Sequence, residues 1–89
     1  MYFELIFTSK FSKQYDTKTP SGKERVEKAI ELLADNPHYP GLHSHKVQGT
    51  YGIFECYIDD SHRITYEYGS NDCIVLRNNC SHSIVNRNP

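Results

Sequence analysis

The side chains of this sequence that could do chemistry are arginines, histidines and a lysine in its second half. Arg63 and Arg77 lie in two neighbouring strand-like segments, and His82 follows the second of them, while His45 and Lys46 come just before these segments. Arginine holds a phosphate through two parallel hydrogen bonds, and histidine, with an ordinary pKa of about 6.5, both gives and takes a proton. Such a cluster suits metal-free cleavage of RNA, in which the ribose 2′-hydroxyl attacks the adjacent phosphate and cations stabilise the added negative charge.

Each of these residues also has a purely structural alternative. Arg63 and Arg77 can pair with nearby carboxylates, and His82 can hydrogen-bond within a final turn. His45 and Lys46 can be ordinary solvated loop residues. Taken alone, the residue types therefore favour catalysis only weakly.

Residues 52–82 predict the sheet that would position these side chains. Three short segments rich in Ile, Val, Phe and Tyr are separated by polar turns, which is typical of consecutive strands. Alternation along the strands assigns six residues to the core face: Phe54, Cys56, Ile64, Tyr66, Ile74 and Leu76. The opposite face, which we call the open face, carries Arg63 and Arg77.

The loop between the first two of these strands decides which faces meet, because a shift of one residue exchanges the faces of a strand. A two-residue loop would move Arg63 to the face of Phe54. A three-residue loop over residues 59–61 pairs Phe54 with Tyr66 and puts Arg63 beside Tyr57. We therefore predict a loop of odd length, with Tyr57 on the open face as a candidate for stacking on a base.

The last strand is predicted to place polar side chains at the rim of the sheet. The strand is predicted over residues 73–79 and turns polar after Leu76. Ser81 or Ser83 is expected to cap a final turn that packs through Ile84 and Val85. Residues 86–89 are expected to be frayed, as chain ends often are.

The N-terminal part predicts one strand and two helices that cover the sheet. Residues 2–7 alternate as an edge strand, and residues 9–18 form a helix capped by Thr8 or Ser9.

The second helix begins with a capping box, in which Ser21 and Glu24 each satisfy a backbone N–H of the other, and it ends near Asp35. The fold class is therefore α+β, with the order strand, helix, helix and three strands, and with both helices on one face of a small antiparallel sheet within a single domain, 1–89.

Composition limits the possible functions. The 89 residues carry ten Lys and Arg against eleven Asp and Glu, a net charge of −1, so the basic excess usual for nucleic-acid binders is missing. The chain has no apolar run long enough to cross a membrane and no signal peptide, which predicts a cytoplasmic protein. Three widely spaced cysteines predict free thiols. The His and Cys pairs lack the spacing of common zinc sites, and no metal or cofactor is predicted.

Several short phrases occur in an order that points to a known family. They are LADNP at 33–37, PGLHSHK at 40–46, HRITY at 62–66, IVLR at 74–77 and CSHS at 80–83. On these phrases the chain resembles, over nearly its whole length, the RelE/ParE superfamily of bacterial toxins from type II toxin–antitoxin systems. The resemblance implies a ribosome-dependent mRNA endoribonuclease, similar to RelE and YafQ, that inhibits translation.

The resemblance also implies roles for individual residues. His82 matches the catalytic histidine near the C-terminus, Arg63 matches the arginine of the HRITY phrase, and His45 falls where YafQ-like members place an active-site histidine. Lys46 and Arg77 match less closely and are taken as phosphate-binding residues.

The partners implied by the resemblance are a cognate antitoxin, the ribosome and mRNA. Two alternatives stay open, because the fold alone does not define the target. One is a ParE-like inhibitor of DNA gyrase without catalysis, and the other is a catalytically weak family member that mainly binds its antitoxin.

Overall fold

The computed structural model of the chain describes residues 2–82 and 88–89. Its elements are β1 (Glu4–Phe7), α1 (Ser9–Asp16), α2 (Pro20–Asp35), a 3-10 turn (Pro40–Leu42), β2 (His45–Lys46), β3 (Ile53–Tyr57), β4 (His62–Tyr68) and β5 (Cys73–Ser81). The five strands form one sheet in the order β1-β5-β4-β3-β2. The predicted α+β class is confirmed, but the sheet is mixed, because β1 runs parallel to β5 and only the other pairs are antiparallel. Within the described part, no helix combines the length and apolar character needed to span a bilayer.

The core lies between the sheet and the two helices. Helix α2 contributes Val26, Ala29 and Leu33 at helical spacing, and α1 contributes Phe11. Five of the six predicted core residues of the sheet are fully buried, and Phe54 is partly buried against them. Because each buried large aliphatic or aromatic side chain contributes about 1.5–3 kcal/mol, this one cluster is the main source of stability for the face that it supports.

The pairing of β3 with β4 confirms the predicted register. Phe54 lies opposite Tyr66 and Tyr57 lies opposite Arg63. The Ile58 amide also donates to the His62 carbonyl at 3.0 Å, so three residues, 59–61, form the loop. Arg63 is nevertheless only 6% exposed. The expectation that it stands accessible on an open face was therefore wrong, although its place in the register was right.

A bulge changes the second half of β5. Thr65 pairs with Asn78 and Tyr66 pairs with Leu76, which leaves Arg77 as an extra residue. The strand continues to Ser81, and Asn78 is 1% exposed. The predicted polar rim after Leu76 was therefore wrong.

Helix α1 explains why two asparagines can be buried at this point. The Asn79 side-chain amide donates a hydrogen bond to the Phe11 carbonyl at 2.9 Å, and the Gln14 side-chain amide donates to Asn78 Oδ1 at 3.1 Å. Buried polar groups persist where such partners exist. The strand therefore stays paired although its sequence becomes polar.

Thr8 ties the start of α1 to β5. Its hydroxyl accepts a hydrogen bond from the Phe11 amide at 3.2 Å and donates to the Leu76 carbonyl at 2.7 Å. Of the two predicted caps, Thr8 is thus the one used. The helix ends at Asp16, two residues before the predicted end at Lys18.

The cap of helix α2 lies two residues earlier than predicted, at Thr19 instead of Ser21. Thr19 is its cap and accepts from the Gly22 amide at 3.2 Å, while Pro20 is its first residue. The predicted capping box of Ser21 and Glu24 was wrong, because proline at the first helical position already has the helical φ and lacks the N–H that would need a partner.

The predictions for the C-terminal residues have different outcomes. The final turn with Ser83, Ile84 and Val85 lies outside the described residues. Residues 88–89 are described, and they are not frayed as predicted, because the main-chain oxygen of Pro89 accepts three side-chain hydrogen bonds.

All three cysteines are free thiols, as predicted. Burial raises the pKa of Cys56 to about 12, so this thiol behaves as a core side chain rather than as a nucleophile.

Candidate active site

A row of polar side chains crosses β2, β3, β4 and β5 on the open face of the sheet. His45 lies opposite Glu55, Glu55 opposite Thr65, and Thr65 opposite Asn78. Directly paired residues of neighbouring antiparallel strands have Cβ atoms about 5 Å apart on the same face. We call these four residues the polar row.

The first two members of the polar row are in direct contact. His45 Nε2 lies 3.0 Å from Glu55 Oε1, and His45 Nδ1 lies 2.9 Å from the His43 carbonyl oxygen. The imidazole ring of His45 therefore lies between a main-chain carbonyl and a carboxylate, and these two contacts fix its orientation. The Glu55 side chain is 5% exposed and that of His45 is 51% exposed. The acid–base pair therefore joins a buried carboxylate to a solvent-exposed imidazole.

A cleft of about 420 Å³ opens beside this pair. It is lined by His45, Lys46, Val47, Gln48, Glu55 and His82. Three predicted site residues, His45, Lys46 and His82, therefore lie around one space although 36 positions separate Lys46 from His82 in the sequence. The backbone amide of His82 donates to the Ser61 carbonyl at 2.8 Å, which fixes the end of β5 against the loop of residues 59–61.

Arg63 is not among the residues that line this cleft. Its Nη1 donates to the carbonyl oxygens of Asp59, at 2.7 Å, and His62, at 3.0 Å. The guanidinium carbon stacks 3.6 Å from the centre of the Tyr57 ring, and that ring also packs on His43 at 4.7 Å. The predicted substrate-binding face of Tyr57 is thus already in contact with the protein's own side chains.

Arg77 is held by two partners. Its Nη1 donates to Glu67 at 2.8 Å, and its Nε donates to the main-chain oxygen of Pro89 at 3.2 Å. The carboxylate partner is the structural alternative considered for this residue, and Arg77 is not among the residues that line the cleft.

Asp59 organises the loop that holds Arg63. Its Oδ1 accepts from the backbone amides of Ser61 and His62 at 2.9 Å each and lies 2.9 Å from His62 Nδ1. Burial by itself raises the pKa of Asp59, but the hydrogen bonds from His62 and from the Ser61 amide outweigh it, so the pKa of Asp59 lies below its usual value. Asp59 therefore stays ionised in the folded protein.

Sequence reasoning missed Glu55 as a site residue. Alternation along β3 places Glu55 on the face of Tyr57, and a carboxylate in the middle of an otherwise apolar strand is the one signal that was available. Its partner His45 is on β2, a strand of two residues whose pairing no local pattern shows.

The described residues offer no larger ligand cluster. Among residues 2–82 and 88–89, no group of three or more His, Cys, Asp or Glu side chains is arranged to hold a metal ion.

Comparison with known proteins bears on the fold. No family model and no curated protein matches the sequence. Among solved structures, the chain is similar to the YoeB/ParE toxin from Agrobacterium tumefaciens, with a TM-score of 0.75 and 17% identity over 90% of this chain and 99% of that one. It is also similar to a chain of the E. coli DinJ–YafQ toxin–antitoxin complex, with a TM-score of 0.76 and 12% identity over 96% and 98%. For the archaeal RelE–RelB complex from Pyrococcus horikoshii OT3 the TM-score is 0.73 with 15% identity over 91% and 96%. The chain has the fold of the RelE, YafQ and YoeB/ParE toxins, as the sequence phrases had indicated.

Proposed function

We propose that this protein is the toxin of a toxin–antitoxin pair and an endoribonuclease that cleaves mRNA on the ribosome. The observation that carries the proposal is the cleft that joins the His45–Glu55 pair to Lys46 and His82. Two separate acid–base groups around one space are what cleavage by an internal 2′-hydroxyl needs, because one proton must leave and another must arrive. The shared fold with toxins supports this reading.

In this reaction His82 would act as the general base and His45 as the general acid. His82 takes the proton of the 2′-hydroxyl while the 2′-oxygen forms its bond to phosphorus. As the bond from phosphorus to the 5′-oxygen breaks, His45 gives that oxygen a proton. The products are a 2′,3′-cyclic phosphate and a 5′-hydroxyl end, and Glu55 keeps the imidazole ring in the orientation that the transfer needs.

Positive charge around the cleft would stabilise the extra negative charge of the phosphorane-like transition state. Lys46 lines the cleft and is exposed, so it is placed to meet a phosphate directly. Arg63 would act from below the surface, because it is buried and lies opposite Tyr57, diagonally across the paired strands from Glu55. The role of Tyr57 is then to hold the Arg63 guanidinium in place by stacking on it, rather than to stack on a base.

The partner proposed for the protein is a cognate antitoxin. YafQ was solved in a toxin–antitoxin complex with DinJ, and YoeB from Staphylococcus aureus was solved in a complex with YefM. A ribosome-directed activity would also place the protein in the cytoplasm.

The test is cleavage of a defined mRNA on purified ribosomes, with detection of 2′,3′-cyclic phosphate ends. The wild-type protein is expected to cut, and His82→Ala and His45→Ala are each expected to lose 100-fold or more in rate, about the contribution of one general acid or base. His38→Ala is the matched control, because His38 is exposed and does not line the cleft.

The same variants separate the enzyme from the gyrase inhibitor. Expression in bacteria is followed by parallel measurement of mRNA integrity and of the DNA damage response. Intact mRNA together with a DNA damage response, unchanged in the His82→Ala strain, would contradict the proposed activity and support the gyrase alternative.

A further inference from the structure

Three side-chain donors of the sheet converge on one oxygen atom, the main-chain oxygen of Pro89. Asn78 Nδ2 donates to it at 2.6 Å, Thr65 Oγ1 at 2.9 Å and Arg77 Nε at 3.2 Å. Asn78 Nδ2 also lies 3.3 Å from the carbonyl oxygen of Asn88. Residues 88–89 therefore lie against the open face and present acceptors to it.

The donors are fixed by the fold and not by the oxygen that they hold. Thr65 and Asn78 form a directly opposed pair of the polar row and are 0% and 1% exposed. Gln14 donates to Asn78 Oδ1 at 3.1 Å, so the amide group of Asn78 must turn its N–H groups the other way, toward Thr65 and Pro89. The site is thus built by α1, β4 and β5 together.

Arg77 reaches the same oxygen because of the bulge in β5. As the extra residue of the bulge, it stands beside Asn78 instead of opposite a β4 residue. Its Nη1 is bound to Glu67 at 2.8 Å, and this ion pair holds the guanidinium so that Nε points to the oxygen. The arginine therefore adds a third donor and a positive charge.

The donors that hold the Pro89 oxygen, which we call the oxygen site, lie close to the cleft. Thr65 lies directly between Glu55 and Asn78 in the polar row, and neighbouring strands are about 4.8 Å apart. The oxygen site is therefore one to two strand spacings, roughly 5–10 Å, from the carboxylate of the acid–base pair. A nucleic-acid strand with one phosphate in the cleft can reach it with a neighbouring phosphate.

We propose that Thr65, Arg77 and Asn78 form a phosphodiester-binding subsite, and that residues 88–89 occupy it in the free protein as an internal competitor. Three N–H and O–H donors around a single oxygen, one of them from a guanidinium, match a phosphate oxygen. Residues 88–89 belong to the same chain, which gives them a high effective concentration at the site. The identification of RNA as the source of the phosphodiester depends on the proposed function.

The test titrates dimethyl phosphate, a phosphodiester that is not cleaved, and follows the Asn78 side-chain amide signals by NMR. The full chain is compared with a variant that lacks residues 88–89. The truncated chain is expected to bind dimethyl phosphate at least about fivefold more tightly than the full chain, because the tethered competitor is gone. Thr65→Val in the truncated chain is expected to remove the response, and Arg25→Gln, which changes an exposed arginine on α2, is expected to preserve it.

A second variant covers the case in which the truncated chain does not fold. Asn88→Gly combined with Pro89→Gly keeps the chain length but weakens the docked conformation through greater chain entropy, and it is expected to bind more tightly than the wild type. An equal response of the wild type and both variants, or no response in any of them, would overturn the proposal. Because the probe needs no catalysis, a failure of RNA cleavage leaves this titration unaffected, and a failed titration leaves the His45–Glu55 cleft unaffected.

Discussion

The contacts of Arg63 show how one side chain can belong to a site without facing its ligand. Its guanidinium donates to two loop carbonyls, of Asp59 and His62, and stacks on Tyr57. Such hydrogen bonds from a charged group are worth about 1.5–3 kcal/mol where they are buried. Loss of the side chain therefore acts on folding as well as on activity.

We expect Arg63→Gln to lower the free energy of unfolding by about 1–3 kcal/mol, because two charge-assisted hydrogen bonds and the stacking on Tyr57 disappear. Urea denaturation followed by far-UV circular dichroism measures the change. Arg25→Gln is the control. Arg25 is 58% exposed with one ion pair at 3.5 Å, so its loss is expected to cost about 0–1 kcal/mol. Equal effects of the two variants would show that the buried contacts of Arg63 are not stabilising.

The direction of proton transfer in the cleft is also a property of single side chains. If the His45–Glu55 pair protonates the 5′-oxygen, a substrate with sulfur in place of that oxygen no longer needs the acid, because a thiolate is a far weaker base than an alkoxide. We expect Glu55→Gln to cleave the oxygen substrate at least about 10-fold more slowly than the wild type and to recover most of the rate with the sulfur substrate. Initial rates on the two substrates measure this.

His82→Ala is the comparison for this experiment. Its defect is expected to persist with the sulfur substrate, because the 2′-hydroxyl still has to lose its proton. Rescue of His82→Ala, with none for Glu55→Gln, would reverse the assigned acid and base.

At the scale of elements, the start of α2 is decided by a competition between two possible caps. Thr19 followed by Pro20 and Ser21 paired with Glu24 both fit the rules for helix starts. Proline settles the choice, because it is well suited to the first helical position. The hydroxyl of Thr19 then accepts from the Gly22 amide at 3.2 Å.

We expect Thr19→Ala to destabilise the protein by about 1 kcal/mol, because the Gly22 amide loses its partner at the helix start. Ser21→Ala is expected to change stability by less than about 0.5 kcal/mol, as surface substitutions usually do. Thermal and urea unfolding of the two variants measure the difference. A larger effect at Ser21 than at Thr19 would contradict the cap seen in the structure.

The bulge in β5 is the element that sequence patterns could not predict. Parity along the chain placed Ile74 and Leu76 on the core face correctly. A bulge inserts one residue and reverses parity beyond it, and nothing in a run of Arg, Asn and Asn marks where that happens. Burial of Asn78 depends on α1, through Gln14, so it is set by tertiary contacts.

At the scale of the whole molecule, the sequence was sufficient to predict the fold class, the core face and the β3–β4 register. These features depend on the alternation of apolar and polar residues, which is visible in the sequence itself. It was also sufficient to place His45, Lys46 and His82 among the candidates. It could not supply Glu55, whose partner sits on a two-residue strand. It could not supply the site of Thr65 and Asn78 either, since that site requires a bulge, a helix contact and residues 88–89 in one place.

The dependence of stability on pH is a whole-molecule property in which Asp59 has a defined part. Asp59 joins the β3–β4 loop to α2 through Arg25 at 3.5 Å and to His62 at 2.9 Å. Its pKa in the folded protein is lowered, in spite of burial, by the His62 and Ser61 hydrogen bonds. A carboxyl group with a depressed pKa stabilises the fold above its unfolded pKa of about 3.9 and loses that contribution as the pH falls through the folded value.

We therefore expect Asp59→Asn to be less stable than the wild type by about 1 kcal/mol at pH 6, a modest figure because the Asp59 side chain is 29% exposed and partly screened. The gap should shrink as the pH falls through the folded pKa of Asp59, because below it the side chain is protonated in both the folded and unfolded states. Urea unfolding of the two proteins across this range measures the gap, and taking their difference cancels the titration of the other carboxylates. Asp60→Asn serves as the control, since Asp60 is exposed and sits in the same loop. A gap that grows on acidification would mean that the surroundings of Asp59 raise its pKa instead of lowering it, and it would contradict this prediction.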